Sequence, residues 1–454
     1  MPKPSIRLPL VLALVACLAA CASPSPEPMP ETTLDRPHVV VVLIDTFRPD
    51  HLAALGYERE TAPFLDSVLQ NSKVFRRAFS TSSWTAPSTG SLFTSLYPTN
   101  HGVTEGFLAH QRRADAMETM QNEVISLNRL PEDVATLPEI LQRAGYTTFG
   151  VASNINIGKA IGFDRGFDYF EHMQGRSAKR LAEQMIDWHR EVDTPGPRFT
   201  YMHFNDVHEP YQPREPWYDD TGDDLDRTVS AYNSEISFLD QALETLHREL
   251  SWDRQTLLVL VSDHGEEFME HGQIGHHFTL YNELMKVLMV FSGPDLGITA
   301  GLEEGVNVSL VDVVPTILDV LDLPVPDARD GLSLVPFLGA ESVSESVDRK
   351  FRKRILFAHR SHHRVRQGLP ERHLWAAVYG DWKWIDHPDG VKLLDFQNDP
   401  GETIDQRPEH EEMATLLEKQ LSLFQEGGFR ATETTAVEID EETFKALEAL
   451  GYVQ

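Results

Sequence analysis

The chain has almost no cysteine, two residues in 454, at positions 17 and 21. Positive charge is scarce too, with 40 Lys and Arg against 70 Asp and Glu and a formal net charge of -30. The first scarcity excludes a disulfide framework and a thiolate metal cluster, so whatever chemistry operates uses oxygen and nitrogen groups. The second argues against nucleic-acid binding and against a polybasic grip on a membrane. An anionic ligand then needs local help from a metal and from helix N-termini. No internal repeat of roughly 20 to 50 residues is present, which excludes solenoids and propellers. The apolar run Leu8 to Leu18 is too short to span a membrane as a stop-transfer helix.

That run follows Lys3 and Arg7 and ends in Leu18-Ala19-Ala20-Cys21, the pattern of an export signal. Leu-Ala-Ala-Cys resembles the lipobox of bacterial lipoproteins, which implies a signal over residues 1–20 and a lipid-modified Cys21. Residues 21–37, rich in Pro and Ser, read as a tether. The expected location is the bacterial cell envelope, lipid-anchored to a membrane, with Ala22 favouring the outer one.

Downstream, the β-branched run Val39 to Ile44 stops at Asp45, as a buried parallel strand does when it delivers a residue to the edge of a sheet. Similar runs at Thr147 to Ala152, Phe199 to Phe204, Thr256 to Ser262 and Lys286 to Phe291 alternate with helical patterns. Those fall near Ala62 to Gln70, Pro87 to Ser95, Ala135 to Ala144, Ala178 to Arg190, Arg227 to Glu249 and Leu310 to Leu321. The fold class is therefore α/β, a mostly parallel central sheet with helices on both faces, spanning 38–336. Short strand-like pieces between Ile355 and Leu394 predict a small antiparallel subdomain within 337–454, closed by helices near Glu409 to Gln425 and Glu441 to Leu450.

Three clusters carry chemistry. Asp45-Thr46-Phe47-Arg48-Pro49-Asp50-His51 crowds the exit of a buried strand, although a lone Asp there is more often a cap or turn residue. Ser262-Asp263-His264-Gly265-Glu266-Glu267 leaves a second strand, with His271, His276 and His277 close behind. Adjacent Asp and His offer a hard oxygen and an imidazole to one cation, and so many histidines are hard to explain as packing. In Thr85-Ala86-Pro87-Ser88, Pro87 fits the first turn of a helix and Thr85 falls just ahead of it, where N–H groups favour negative charge. Alone, Thr85 reads as a cap.

Together these segments resemble the sulfatase family of the alkaline-phosphatase superfamily over about residues 38 to 400. The landmarks include Val40 to His51, Thr85-Ala86-Pro87-Ser88, Phe163 to Asp168, Asp206-Val207-His208-Glu209-Pro210-Tyr211, Ser262 to Tyr281 and Asp399-Pro400-Gly401-Glu402. The resemblance implies that Asp45, Asp263 and His264 bind a metal, with Thr85 as metal-bound nucleophile and His208 and His276 touching the ester or its leaving group. His101, Asn154 and Asn156 fall where substrate contacts are expected. An Asp-His pair suits Mn²⁺ or Zn²⁺ better than Ca²⁺, which prefers oxygen shells.

The departures bear on substrate. Sulfatases carry a Cys or Ser oxidised to formylglycine, with Arg four residues on; here those positions are Thr85 and Thr89. Asn154 and Asn156 replace two cationic sulfate contacts, and Thr46 replaces a carboxylate. A threonine nucleophile resembles the phosphoryl-transfer branches of the superfamily. The expected activity is hydrolysis of phosphate, phosphonate or sulfate esters through a threonine-linked intermediate. The alternatives are transfer of a phosphoryl-linked head group and a binding protein that has kept the fold.

Overall fold

The computed structural model describes residues 36–106, 124–194, 196–276, 279–362, 372–387, 390–428, 430 and 434–438. The signal, Cys21, residues 22–35 of the tether, His277 and the helix expected at Glu441 to Leu450 lie outside them. Among the described residues, no helix is long and apolar enough to cross a membrane.

Strand β1, Val39–Ile44, is buried along its whole length because successive side chains enter different cores. Val39, Val41 and Leu43 belong to one apolar cluster, and Val40, Val42 and Ile44 to another. A strand apolar on both faces needs helices on both. The other strands of this sheet are β2 (Lys73–Phe75), β3 (Thr147–Ala152), β4 (Tyr169–His172), β5 (Arg198–Phe204), β6 (Leu257–Ser262), β7 (Met289–Ser292) and β8 (Gly301–Glu303). The eight strands run in the order β8-β2-β7-β6-β1-β5-β3-β4.

One face is covered by α2 (Thr85–Thr94), α3 (Leu137–Arg143) and α6 (Val313–Val320), the other by α1 (Pro63–Gln70), α4 (Ala178–Glu191) and α5 (Asp224–Glu249). The α/β class holds, and so does the mostly parallel sheet. One strand departs: β7 is antiparallel to β6 and β2, because the chain between β6 and β7 forms the loop over the strand ends rather than a crossover helix. The short β2, β4 and β8 carry too few alternating residues to stand out in the sequence.

Beyond α7 (Glu345–Arg352), strands β9 (Leu356–His362), β10 (Arg372–Tyr379), β11 (Trp382–His387) and β12 (Gly390–Asp395) form the expected antiparallel sheet. Period-two alternation splits its side chains. Leu374, Ala376 and Val378 pack on Phe79, Leu280 and Met285, whereas Trp375 and Ala377 pack under α8, Glu411–Glu426. Lys383 on β11 is fully buried, and its Nζ donates to Glu402 Oε2 (2.8 Å), Leu280 O (2.9 Å) and Asn282 Oδ1 (2.9 Å). The bonds to Leu280 and Asn282 tie the small sheet to the chain just past His276.

Candidate active site

The parallel register assembles the site. Ile44 on β1 pairs with Phe204 on β5 and with Ser262 on β6, so the next residues, Asp45, Asn205 and Asp263, leave the sheet side by side. Likewise Ala152 pairs with His203, which brings Asn154 to the same edge. Function at the carboxyl ends of parallel strands follows from this topology.

Asp45, Asp263 and His264 are fully buried, and one potential ligand atom from each lies within 4.8 Å of the others. Asp263 Oδ1 accepts the main-chain N–H of His264 (2.8 Å) and of Thr46 (3.2 Å), whereas its Oδ2 has no hydrogen-bond partner. His264 Nδ1 donates to Gly265 O at 3.0 Å, which fixes the tautomer and leaves Nε2 as the acceptor, 3.5 Å from Asp263 Oδ2 and 3.6 Å from Asp45 Oδ1. Gly265 is required for this placement. A Cβ there would come to 1.9 Å from Glu283 O.

Electrostatics point the same way. Burial and then the charge of Asp45 push the Asp263 carboxyl well above its ordinary range. Asp45 is also pushed up by burial, but the imidazoles of His203, His208 and His264 around it outweigh that and hold it low. Burial lowers His264 to about 4, so the imidazole is neutral at physiological pH. Two carboxylates facing each other, an orphaned carboxylate oxygen and a neutral imidazole nitrogen fit a divalent cation, whose charge would relieve the repulsion.

Thr85 completes the group. It is 2% exposed, and its Oγ1 lies 3.4 Å from Asp45 Oδ1, 3.4 Å from Asp45 Oδ2 and 3.4 Å from His264 Nε2. The structure corrects its helical position. Helix α2 begins at Thr85 itself, with Trp84 as the preceding cap residue and Pro87 in its first turn as expected. Thr85 therefore caps nothing, and its hydroxyl is turned toward the acidic cluster at the positive end of α2.

Across the cluster, the rings of His264 and His276 are 4.7 Å apart, and those of His276 and His208 4.8 Å. His276 Nδ1 is 2.9 Å from Glu266 Oε1, and His208 Nδ1 donates to Glu209 O at 2.6 Å. The structure thus brings Asp45, Thr85, His208, Asp263, His264 and His276 together.

The remaining expectations need correction. Asn154 does not face outward: its Nδ2 donates to Asp45 Oδ2 (2.7 Å) and Asn205 Oδ1 (2.9 Å), so it orients a carboxylate. Asn156, buried beside it, donates its main-chain N–H and its Nδ2 to Asn154 Oδ1 (2.9 and 3.1 Å) and braces it. His101 is fully buried behind α2, accepting Val103 N–H at Nδ1 and reaching Pro87 O at 3.1 Å through Nε2. Its ring touches Gly90 and supports the helix instead of a ligand. His271 stacks on Tyr281 at 3.5 Å and is a packing residue after all. Asp206 accepts Ala178 N–H at the start of α4, and the one Asp/Glu/His cluster suited to a cation among the described residues is Asp45, Asp263 and His264.

Two residues were not anticipated. His203 on β5 sets Nε2 3.4 Å from Asp45 Oδ2. Arg360, buried on β9, lays its guanidinium 3.9 Å over Trp84 and donates to Ser83 O at 2.9 Å, beside Thr85. Neither carries a local sequence signal, since each is defined only by what the fold places beside it.

Comparison with known proteins bears on family and fold. A family model described as Sulfatase matches residues 37–323, and one described as N-sulphoglucosamine sulphohydrolase, C-terminal, matches 269–427. The chain is 32% identical over 196 residues to arylsulfatase K of Rattus norvegicus, covering 41% of this chain and 32% of that protein. To arylsulfatase K of Homo sapiens it is 30% identical over 201 residues, covering 41% and 34%. The matched part thus spans about a third of these curated relatives. Among solved structures, the phosphonate monoester hydrolase of Agrobacterium radiobacter superposes with a TM-score of 0.69 at 20% identity, covering 89% of this chain and 100% of that one. A 2-O GAG sulfatase superposes with a TM-score of 0.67 at 16% identity, covering 86% and 92%. At those identities the likeness is one of fold.

Proposed function

Because this chain belongs to the sulfatase family, we propose that it is a metal-dependent hydrolase of anionic esters in which Thr85 is the nucleophile. The observation that carries this reading is the equal 3.4 Å approach of Thr85 Oγ1 to both Asp45 oxygens and to His264 Nε2. Asp45, Asp263 and His264 would hold a divalent cation, Mn²⁺ or Zn²⁺ in preference to Ca²⁺ given the imidazole, and such a cation lowers the pKa of a neighbouring hydroxyl and draws charge from ester oxygens. With the site loaded, Thr85 would release its hydroxyl proton to water, and its Oγ1 then bonds to phosphorus or sulfur as the ester bond to the alcohol breaks. The departing alkoxide takes a proton from His276 or His208. Water then cleaves the threonine ester and restores the hydroxyl. Asn154 and His203 keep Asp45 in place throughout.

The proposal includes export and lipid anchoring through Cys21, supported by the charged and apolar pattern of residues 1–20.

His276→Ala is expected to lower kcat by about 10² to 10³ on esters of poor leaving groups and far less on 4-nitrophenyl esters, which need no proton. Rates plotted against leaving-group pKa check this, and an equal loss on all esters would assign His276 to binding.

A phosphate or phosphonate ester should be preferred to the matching sulfate. A formylglycine hydrate has a second hydroxyl through which sulfate is expelled, a route closed to threonine, whereas a phosphoryl-threonine is open to attack by water. The ratio of kcat/KM for 4-nitrophenyl phenylphosphonate and 4-nitrophenyl sulfate, with added Mn²⁺ or Zn²⁺, tests the preference. A clear preference for sulfate would overturn it.

A further inference from the structure

The chain's negative charge is interrupted at Arg349-Lys350-Phe351-Arg352-Lys353-Arg354, where five of six residues are basic. Phe351 is buried, packing on Phe337 at 4.8 Å, and this turns the flanking cations of α7 outward. There they border an open groove of about 460 Å³, lined by Leu332, Ser346, Arg349, Lys350, Lys353 and Arg354. Some of this charge is spent within the protein. Arg354 pairs with Asp312 (2.6 Å), Arg349 with Glu345 (2.5 Å) and Arg352 with Asp348 (2.7 Å). No ion pair among the described residues reaches Lys350 or Lys353.

The groove lies away from the catalytic cluster. Ser95, following α2, donates its Oγ to Val311 O, next to the Asp312 that holds Arg354. Thr85 stands at the opposite end of that ten-residue helix, roughly 15 Å off at 1.5 Å per residue.

We propose that this groove is a second anion-binding site, which docks a sulfate or phosphate ester group projecting from a polyanionic chain such as a sulfated or phosphorylated glycan. The proposal rests on the reading that the substrate is an anionic ester. A protein with net charge -30 repels a polyanion at a distance, and the face able to receive one is the face where cations are concentrated. The size suits a ligand group, since binding clefts run from about 300 to 1,000 Å³. Its openness suits a group attached to something larger. Two exposed lysines are mobile, hydrated charges that accept any tetrahedral oxyanion without fixed geometry.

The test measures binding of dextran sulfate, inorganic sulfate and phosphatidylglycerol vesicles to protein lacking residues 1–21, comparing Lys350→Glu/Lys353→Glu with a charge-matched control, Lys179→Glu/Lys419→Glu. Expected is a loss of at least about tenfold in dextran sulfate affinity in the first variant, weaker in high salt, with the control near wild type. Lys350→Gln should show a smaller loss in the same direction, which guards against misfolding of the double variant. Turnover of small aryl esters should not change, so the groove and the catalytic reading stand or fall separately. Equal losses in both double variants, or no binding by wild type, would overturn the proposal. Vesicle binding that depends on Lys350 and Lys353 without dextran sulfate binding would assign the groove to a membrane instead. Inorganic sulfate binding as tightly as the polymer would assign it to a free anion.

Discussion

Thr85→Ala should lose at least about a thousandfold in kcat, because among the described residues no other hydroxyl shares its place against Asp45 and His264. The fold should survive. Thr85 makes no cap bond, and alanine is the better helix former, so the change removes one buried hydroxyl contact worth about 1 kcal/mol. Far-UV circular dichroism and thermal unfolding close to wild type would confirm this. Thr85→Ser keeps an oxygen at the same position and should retain measurable turnover. Near-normal activity in folded Thr85→Ala would show that water, not the side chain, attacks the ester.

Asp263→Asn is expected to act in opposite directions with and without metal. In chelator-treated protein it should raise the melting temperature, because it replaces a buried carboxyl, pushed well up by burial and by Asp45, with a neutral group of the same shape. With Mn²⁺ or Zn²⁺ added, the parent should gain stability by mass action, about 2.7 kcal/mol at a hundredfold excess over Kd, and the variant should gain little. Activity should fall with metal content. Melting curves with and without metal decide it. An unchanged metal-induced shift in Asp263→Asn would place the cation elsewhere.

The proposed ligand residues and the sheet were legible for one reason. Val39 to Ile44 and Leu257 to Val261 are uninterrupted apolar runs, each followed by polar residues, and a parallel register at equal offset makes Asp45 and Asp263 neighbours. Periodicity also disclosed the six helices on the large sheet, because each turns one apolar side to a core, but not α7, whose one buried residue, Phe351, leaves no apolar stripe. What stayed hidden depends on contacts between distant segments. Asn154 looked like a substrate contact by position, but its direction is set by the pairing of β3 with β5. His101 could not be told from a ligand-facing histidine, because its burial comes from the close approach of Gly90. Arg360 comes from the small sheet, 277 residues from Ser83. Its guanidinium supplies positive charge beside Thr85, the proposed nucleophile, in a site where Asn154 and Asn156 are neutral.

The most direct test of the account is to find the intermediate. The enzyme, loaded with metal, is mixed with 4-nitrophenyl phenylphosphonate, quenched in acid within one turnover, and mapped by peptide mass spectrometry alongside the burst of 4-nitrophenol. The account predicts a phenylphosphonyl group on Thr85 that forms with the burst and decays at the rate of steady turnover. A burst with the label on another residue, or turnover with no labelled residue, would contradict it.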